Sequence, residues 1–291
     1  MTDAVVLLAH GTPDSLDDLP EYLARVRGGR PPSPELIEEM RHNYAAIGGR
    51  SPLTDITRAQ AAALSQALDG IPVYVGMRNW RPLIADTLAQ AATSGARDLV
   101  AVPMAPQYST LSVAKYRQET ERACPAGLRV RFVESWYEHP GLLEAFAEEV
   151  RAAQATRGWD RVVFTAHSLP TRVVAEGDPY PDQVAATARG VAARAQLERY
   201  EVAYQSAGRT PEPWLGPALE DALRAVAAHG ARRVLVAPIG FVCDHTEILF
   251  DIDVQAAAAA RRLGLELGRT RSLNTSPTFI RALADLVGAA S

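Results

Sequence analysis

Phe164-Thr165-Ala166-His167-Ser168-Leu169-Pro170 follows the apolar pair Val162-Val163 and carries a strand-like run into a histidine and a proline-marked turn. Near the start of the chain, Leu7-Leu8-Ala9-His10-Gly11-Thr12-Pro13 does the same. Working outward, short apolar runs recur with helix-patterned segments between them. Strands are expected at 5–9, 73–75, 99–103 and 130–134, and again at 162–166, 201–204, 234–238 and 265–267. The last is the weakest signal, being short and flanked by Gly264 and Gly268. Continuous apolar runs alternating with helical patterns, such as 82–94 and 215–229, are the mark of parallel sheets covered on both faces. The third strand of each half also runs into proline, "LVAVPMAP" against "VLVAPIGF". The expected fold is therefore α/β, with two Rossmann-like domains, each a four-stranded parallel sheet flanked by helices. The boundary falls at 1–140 and 141–276. In open parallel sheets ligands bind beyond the carboxyl ends of the strands, so His10 and His167 should both face a cleft between the domains.

Composition narrows the function. The 291 residues exceed the usual size of one domain. Hydrophobic residues at 47% and charged ones at 22% fit a globular enzyme, and a net charge of −4 argues against a nucleic-acid partner. Cys124 and Cys243 lie far apart with no CxxC spacing, so neither a zinc site nor a disulfide framework is expected. The run 4–9 is too short and wrongly flanked for an export signal, and no apolar stretch approaches the ~20 residues of a membrane span. A cytoplasmic protein is the expectation. No Walker A loop, HExxH, GxSxG or GxGxxG fingerprint is present, which leaves phosphate and nicotinamide chemistry without its usual support.

Four stretches carry chemistry. In "GFVCDHTEILFDIDVQ" (240–255), Glu247, Asp251 and Gln255 are spaced i, i+4, i+8 and share a helical face. Acids in line at a strand's carboxyl end can guide a cation or carry protons away; the plain alternative is a solvated face. His245 is expected to cap this helix together with Asp244. His42, His139 and His229 sit in polar or loop contexts with no chemistry assigned. "RGGR" (27–30) and "YAAIGGRSPL" (44–53) combine arginines, hydroxyls and glycine turns suited to carboxylates, because guanidinium pairs with carboxylate bidentately. "PQYSTLSVAKY" (106–116) adds hydroxyls and an aromatic past the third strand.

Together with "AHGTP", "VYVGMRNWRP", "VESWY", "AHSLP", "GDPYPDQV", "YQSAGRTPEPWLGP" and "GFVCDHTEILFDID", in order from Ala9 to Asp253, these stretches resemble the ferrochelatase family. The resemblance is strongest to the soluble coproporphyrin III ferrochelatases of Gram-positive-type bacteria. It implies insertion of Fe²⁺ into a porphyrin in heme biosynthesis, with coproporphyrin III giving coproheme as the expected reaction. It implies that His167 and Glu247 are the catalytic, metal-handling pair, that Asp251 extends the acidic path outward, and that the helix carrying them is π-bulged. Substrate contacts carry over to Arg27, Tyr44, Ser51 and Tyr116, with Arg30, Thr110 and Ser112 as further propionate candidates. Met77 and Trp214 either pack near the ring or belong to the core.

The chain also departs from the pattern. His10 stands where the relatives have a tyrosine that ligates product iron, and imidazole is itself a competent axial ligand. Asn43, at the substrate-binding position before Tyr44, replaces a basic residue, and Gln255 replaces the third acid of the ridge. No cysteine cluster for an iron–sulfur centre is present, so no cofactor beyond the substrate Fe²⁺ is expected. The resemblance further implies a monomer whose last helix, 277–288, returns to the first domain. Competing readings are a protoporphyrin IX ferrochelatase, a cobalt or sirohydrochlorin chelatase, and a two-domain ligand-binding module without catalysis.

Overall fold

In the computed structural model, which describes residues 2–208 and 210–290, two parallel sheets of identical topology form the frame. The first comprises β1 (Ala4–Ala9), β2 (Val73–Met77), β3 (Asp98–Pro103) and β4 (Arg129–Phe132), ordered β2-β1-β3-β4. The second comprises β5 (Arg161–His167), β6 (Tyr200–Gln205), β7 (Arg233–Pro238) and β8 (Glu266–Arg269), ordered β6-β5-β7-β8. The apolar runs become strands because both sheet faces are covered. Every residue of β1 is buried, as are five consecutive residues of β5.

Helices α1 (Leu19–Val26), α2 (Pro34–Ala46), α3 (Leu53–Ala67), α4 (Ile84–Thr93) and α5 (Val113–Ala123) belong to the first half. Then come α6 (Pro140–Thr156), α7 (Thr171–Ala175), α8 (Tyr180–Arg194) and α9 (Leu219–Ala228). A π-helix spans Glu247–Ala256 and runs into α10 (Ala257–Arg262), and α11 (Pro277–Ala290) closes the chain. Ser33 accepts from the Leu36 amide and Pro34 stands at the first position of α2, a start signal readable in the sequence. α11 packs against both α3 and α6. One apolar cluster runs from Val5 and Leu7 through Phe146 and Phe279 to Phe164 and Leu235, so the two sheets share a core.

The register makes the two halves superimposable in outline. β1 pairs Ala9 with Met77 and Leu8 with Pro103, while β5 pairs Ala166 with Tyr204 and Thr165 with Pro238. His10 and His167 are thereby equivalent, as are Arg78 and Gln205. Two glycines bring chain segments close to these strand ends. Gly11 sits at φ +87°, and a Cβ there would lie 2.8 Å from the Trp80 backbone nitrogen. A Cβ on Gly240 would lie 2.7 Å from the Ala166 Cβ, so only glycine lets the 240–247 loop press against the end of β5.

Candidate active site

Beyond the carboxyl ends of β1 and β5 lies a cleft of about 380 Å³, walled by both halves. Of the acids among the described residues, only Glu247 lines it. Each carboxylate oxygen faces an imidazole: Oε1 lies 3.7 Å from His167 Nε2, and Oε2 lies 3.6 Å from His245 Nε2. His167 Nδ1 lies 2.5 Å from the Ser168 carbonyl, and His245 Nδ1 lies 3.1 Å from the Cys243 carbonyl. A carbonyl only accepts, so both Nδ1 atoms carry the proton and both Nε2 atoms turn lone pairs toward Glu247 whenever the rings are neutral. A backbone carbonyl that fixes the tautomer is the usual support of a ligating histidine.

The separations exceed a hydrogen bond. They approach the ~3.4–3.6 Å that two donors adopt when sharing one ion at bonds of ~2.1 Å. No set of three or more His, Cys, Asp or Glu among the described residues is closed around a common point.

Burial alone would raise the Glu247 carboxyl; the nearby imidazoles of His167, His245 and His10, when charged, bring it down to about 2. Its side chain keeps 40% exposure, all of it consistent with a position on the cleft wall, so it is a carboxylate that still meets solvent. Asp251 lies outside the lining and takes a short hydrogen bond from Ser206. Burial, reinforced by Glu247, pushes it up to about 6. The two acids of this row therefore differ in affinity for protons.

His10 faces the same lumen from the first half, with Asn79 Nδ2 at 3.1 Å and 3.3 Å from its ring nitrogens. Burial, then the Arg78 charge, lowers it to about 4. Because the ring is open to the lumen, water moderates the burial effect, but Arg78 acts in the same direction. Arg78 itself lines the cleft, donates to the Leu111 carbonyl at 3.3 Å and lies 5.8 Å over the Tyr116 ring. Tyr44 is buried against Thr12, hydroxyl to hydroxyl at 2.8 Å, and Ser51 and Tyr116 are buried in the same wall.

Several expectations change. His245 does not cap a helix with Asp244; Asp244 is drawn to Ser272, Asn274 and Arg269, leaving His245 to face Glu247 and to lie tilted against Phe241, ring centroids 4.7 Å apart. The Thr110 hydroxyl is committed to Asp178 at 2.7 Å and is turned away from the cleft lining. Arg27 and Arg30 are exposed on the loop after α1, and neither they nor Asn43 line the cleft. Met77 is wholly buried, a core residue, whereas Trp214 lines the cleft. Ser112 lies in the lining as expected. Arg78 and His245 went unselected in the sequence; the signal was their place, one just past the end of β2 and the other two residues before Glu247. Arg209, in the "QSAGRTPEPWLGP" stretch, falls outside the described residues.

The chain matches the ferrochelatase family over residues 2–291. It belongs to that family. Among its relatives, a ferrochelatase of Deinococcus radiodurans is 43% identical, over 97% of this chain and 94% of that protein. A coproporphyrin III ferrochelatase of Geobacillus kaustophilus is 37% identical, over 98% of this chain and 95% of that protein. The fold is shared with SirB from Bacillus subtilis, at a TM-score of 0.62 and 12% identity over 100% of this chain and 96% of that one. It is shared also with CbiX, at a TM-score of 0.59 and 15% identity over 99% of each chain. Ferrochelatases are metal chelatases of the lyase class, acting in heme biosynthesis with porphyrin and iron as substrates. No helix among the described residues is long and apolar enough to cross a membrane.

Proposed function

We propose that this ferrochelatase inserts Fe²⁺ into coproporphyrin III, with His167 and Glu247 handling the metal. The observation that carries the metal half is the Glu247 carboxylate facing two Nε2 atoms at 3.6–3.7 Å, three donor groups turned toward one another in the cleft. Insertion exchanges two pyrrole protons for one dication. Water must leave the ion, and bases must take the protons. Neutral imidazole serves either purpose near neutral pH. Glu247 stays ionised and offsets the cation's charge as it sheds water. Asp251, with its higher proton affinity, accepts protons passed outward. His10, neutral on the opposite half, becomes the axial ligand of the product iron.

For the porphyrin, support comes from the wall built by the first half. Arg78, Tyr44, Ser51, Ser112 and Tyr116 offer a guanidinium and hydroxyls, and among the described residues of this half no carboxylate lines the cleft. Four propionates use such partners more fully than two do. Arg27 and Arg30, exposed on the loop after α1, remain available to carboxylates outside the lining. The test is anaerobic steady-state insertion with coproporphyrin III and protoporphyrin IX in parallel. A higher kcat/KM for coproporphyrin III is expected; equal or better turnover of protoporphyrin IX would defeat the preference.

A further inference from the structure

The "GDPYPDQV" stretch takes no part in the chemistry above, yet it carries the densest set of polar contacts between the halves. Asp178, with 6% exposure, stands just before α8. Its Oδ2 accepts from Ser109 Oγ at 2.9 Å, the Thr110 amide at 2.8 Å and Thr110 Oγ1 at 2.7 Å. Its Oδ1 accepts from the Tyr180 amide at 3.1 Å. Ser109 and Thr110 belong to the loop between β3 and α5 of the first half; Tyr180 begins α8 of the second. Further along α8, Gln183 Oε1 accepts from the Tyr108 amide at 2.7 Å, and Thr187 takes Gln107 Nε2 at 3.0 Å. The loop is thereby fastened to the second half at successive residues.

Both ends of the fastening reach the cleft. On one side, Leu111 and Ser112 line it, and the Leu111 carbonyl holds Arg78. On the other side, Tyr180 lines it beside His167 and packs in one apolar cluster with Ala166 and Leu169, which flank that histidine. One buried carboxylate thus ties the wall that carries Arg78 to the segment that backs His167. We infer that Asp178 is a positioning residue for metal insertion: it sets the spacing between the porphyrin-holding wall and the His167 imidazole. The inference rests on insertion in this cleft and not on which porphyrin is preferred. Bonds to an ionised acceptor are the strong ones, and removing a buried acceptor leaves its donors unsatisfied. A small displacement between reacting groups is enough to slow a reaction by about 10²-fold.

The test compares Asp178→Ala and Asp178→Asn in the full chain. Melting temperature, porphyrin KM, anaerobic kcat and the absorption band of bound porphyrin are measured on the same samples. Asp178→Ala is expected to lower kcat about 10²-fold with little change in KM, and to displace the band. Asp178→Asn should recover most of kcat, because its amide oxygen can replace Oδ2 toward the loop. A folded Asp178→Ala protein with wild-type kcat and band would overturn the inference. So would a loss of kcat that merely equals the loss of folded fraction. Should Asp178→Ala fail to fold, Ser109→Ala with Thr110→Val removes two of the loop's bonds and keeps the Thr110 amide. An intermediate fall in kcat is then expected; unchanged kcat with raised KM would overturn the inference by making the Thr110 hydroxyl a substrate contact. Wild-type protein inert toward both porphyrins would instead overturn the underlying activity.

Discussion

The two halves have the same strand order and the same register, yet they bring opposite chemistry to the cleft. At the end of the second strand, the first half places Arg78, a cation facing the lumen. The second half places Gln205 there, a neutral amide whose Nε2 holds the Glu247 carbonyl at 3.0 Å. After the third strand, the first half runs through a hydroxyl-bearing loop into α5, an ordinary α-helix. The second half runs through His245 into a π-helix that begins at Glu247. The central strands end alike, in His10 and His167. On the proposed function, a repeated scaffold is thus divided into a wall for anionic side groups and a wall for a cation. Fold alone does not assign these roles, since one frame hosts many sites; the substitutions at equivalent register positions do.

The largest expected effect tests whether the equivalent histidines are equivalent in function. His167→Ala removes an Nε2 lone pair directed at Glu247 and should slow iron insertion by ~10²–10⁴-fold as lost base, and further if it is also the metal ligand. Porphyrin affinity should persist, because the hydroxyls and Arg78 of the other half are untouched. Side-chain loss at a partly exposed cleft wall should leave the melting temperature near wild type, unlike a core truncation of ~2–5 kcal/mol. Anaerobic insertion, porphyrin titration and thermal melting on one preparation decide the matter. Retained turnover with a lowered melting temperature would return His167 to a structural role.

A smaller effect concerns the two acids of the π-helix. Asp251 is held at about 6 when folded, against an ordinary 3.8. Between those values the folded protein binds more protons at this site than the unfolded chain, so its contribution to stability falls as pH rises. Asp251→Asn removes the titration while keeping an oxygen for the Ser206 hydroxyl. Melting curves between pH 4 and pH 8 should show the wild type losing ground to Asp251→Asn up to about pH 6, then running parallel. Parallel curves throughout would mean that Asp251 titrates as an ordinary surface acid. Glu247 has the opposite sign: lowered to about 2 against an ordinary 4.5, it makes stability rise with pH through the acid end of that range, and because both proteins carry it this slope cancels in the comparison.

How much of this was legible in sequence follows from the range of each interaction. The eight strands were visible because doubly covered strands are written as local apolar runs, and even the faint 265–267 run marks β8, displaced toward Arg269. His167, Glu247 and the buried Tyr44 and Ser51 were visible through short motifs. Arg78 was not, because its partners, the Leu111 carbonyl and the Tyr116 ring, are brought to it by the β3–α5 connection. The bond from the Thr110 hydroxyl to Asp178 was invisible for a similar reason: the acceptor lies 68 residues on. His245 looked like a cap because Asp244 precedes it, and only the fold reveals that Asn274 and Ser272 claim Asp244 first.

The smallest expected effect lies at His10, and it sharpens the comparison most. The ring shares its register position with His167 but forms no ion pair among the described residues; Asn79 is its neighbour, and Arg78 disfavours its protonation more than Glu247 favours it. With no carboxylate paired to it for relaying protons, His10→Ala should change the insertion rate far less than His167→Ala does. Its neutral imidazole is nevertheless a good axial ligand, and loss of that ligand should alter the absorption spectrum of the bound iron porphyrin. The lowered value, about 4, adds a sharper expectation. A free histidine protonates near its usual ~6.5, and both this environment and a bound iron oppose the proton, so the product spectrum here should hold steady from pH 8 down to pH 5. A spectrum indifferent to His10→Ala would remove His10 from the iron. A ligation change centred near pH 6.5 would show that lumen water, not Arg78 and burial, governs this ring.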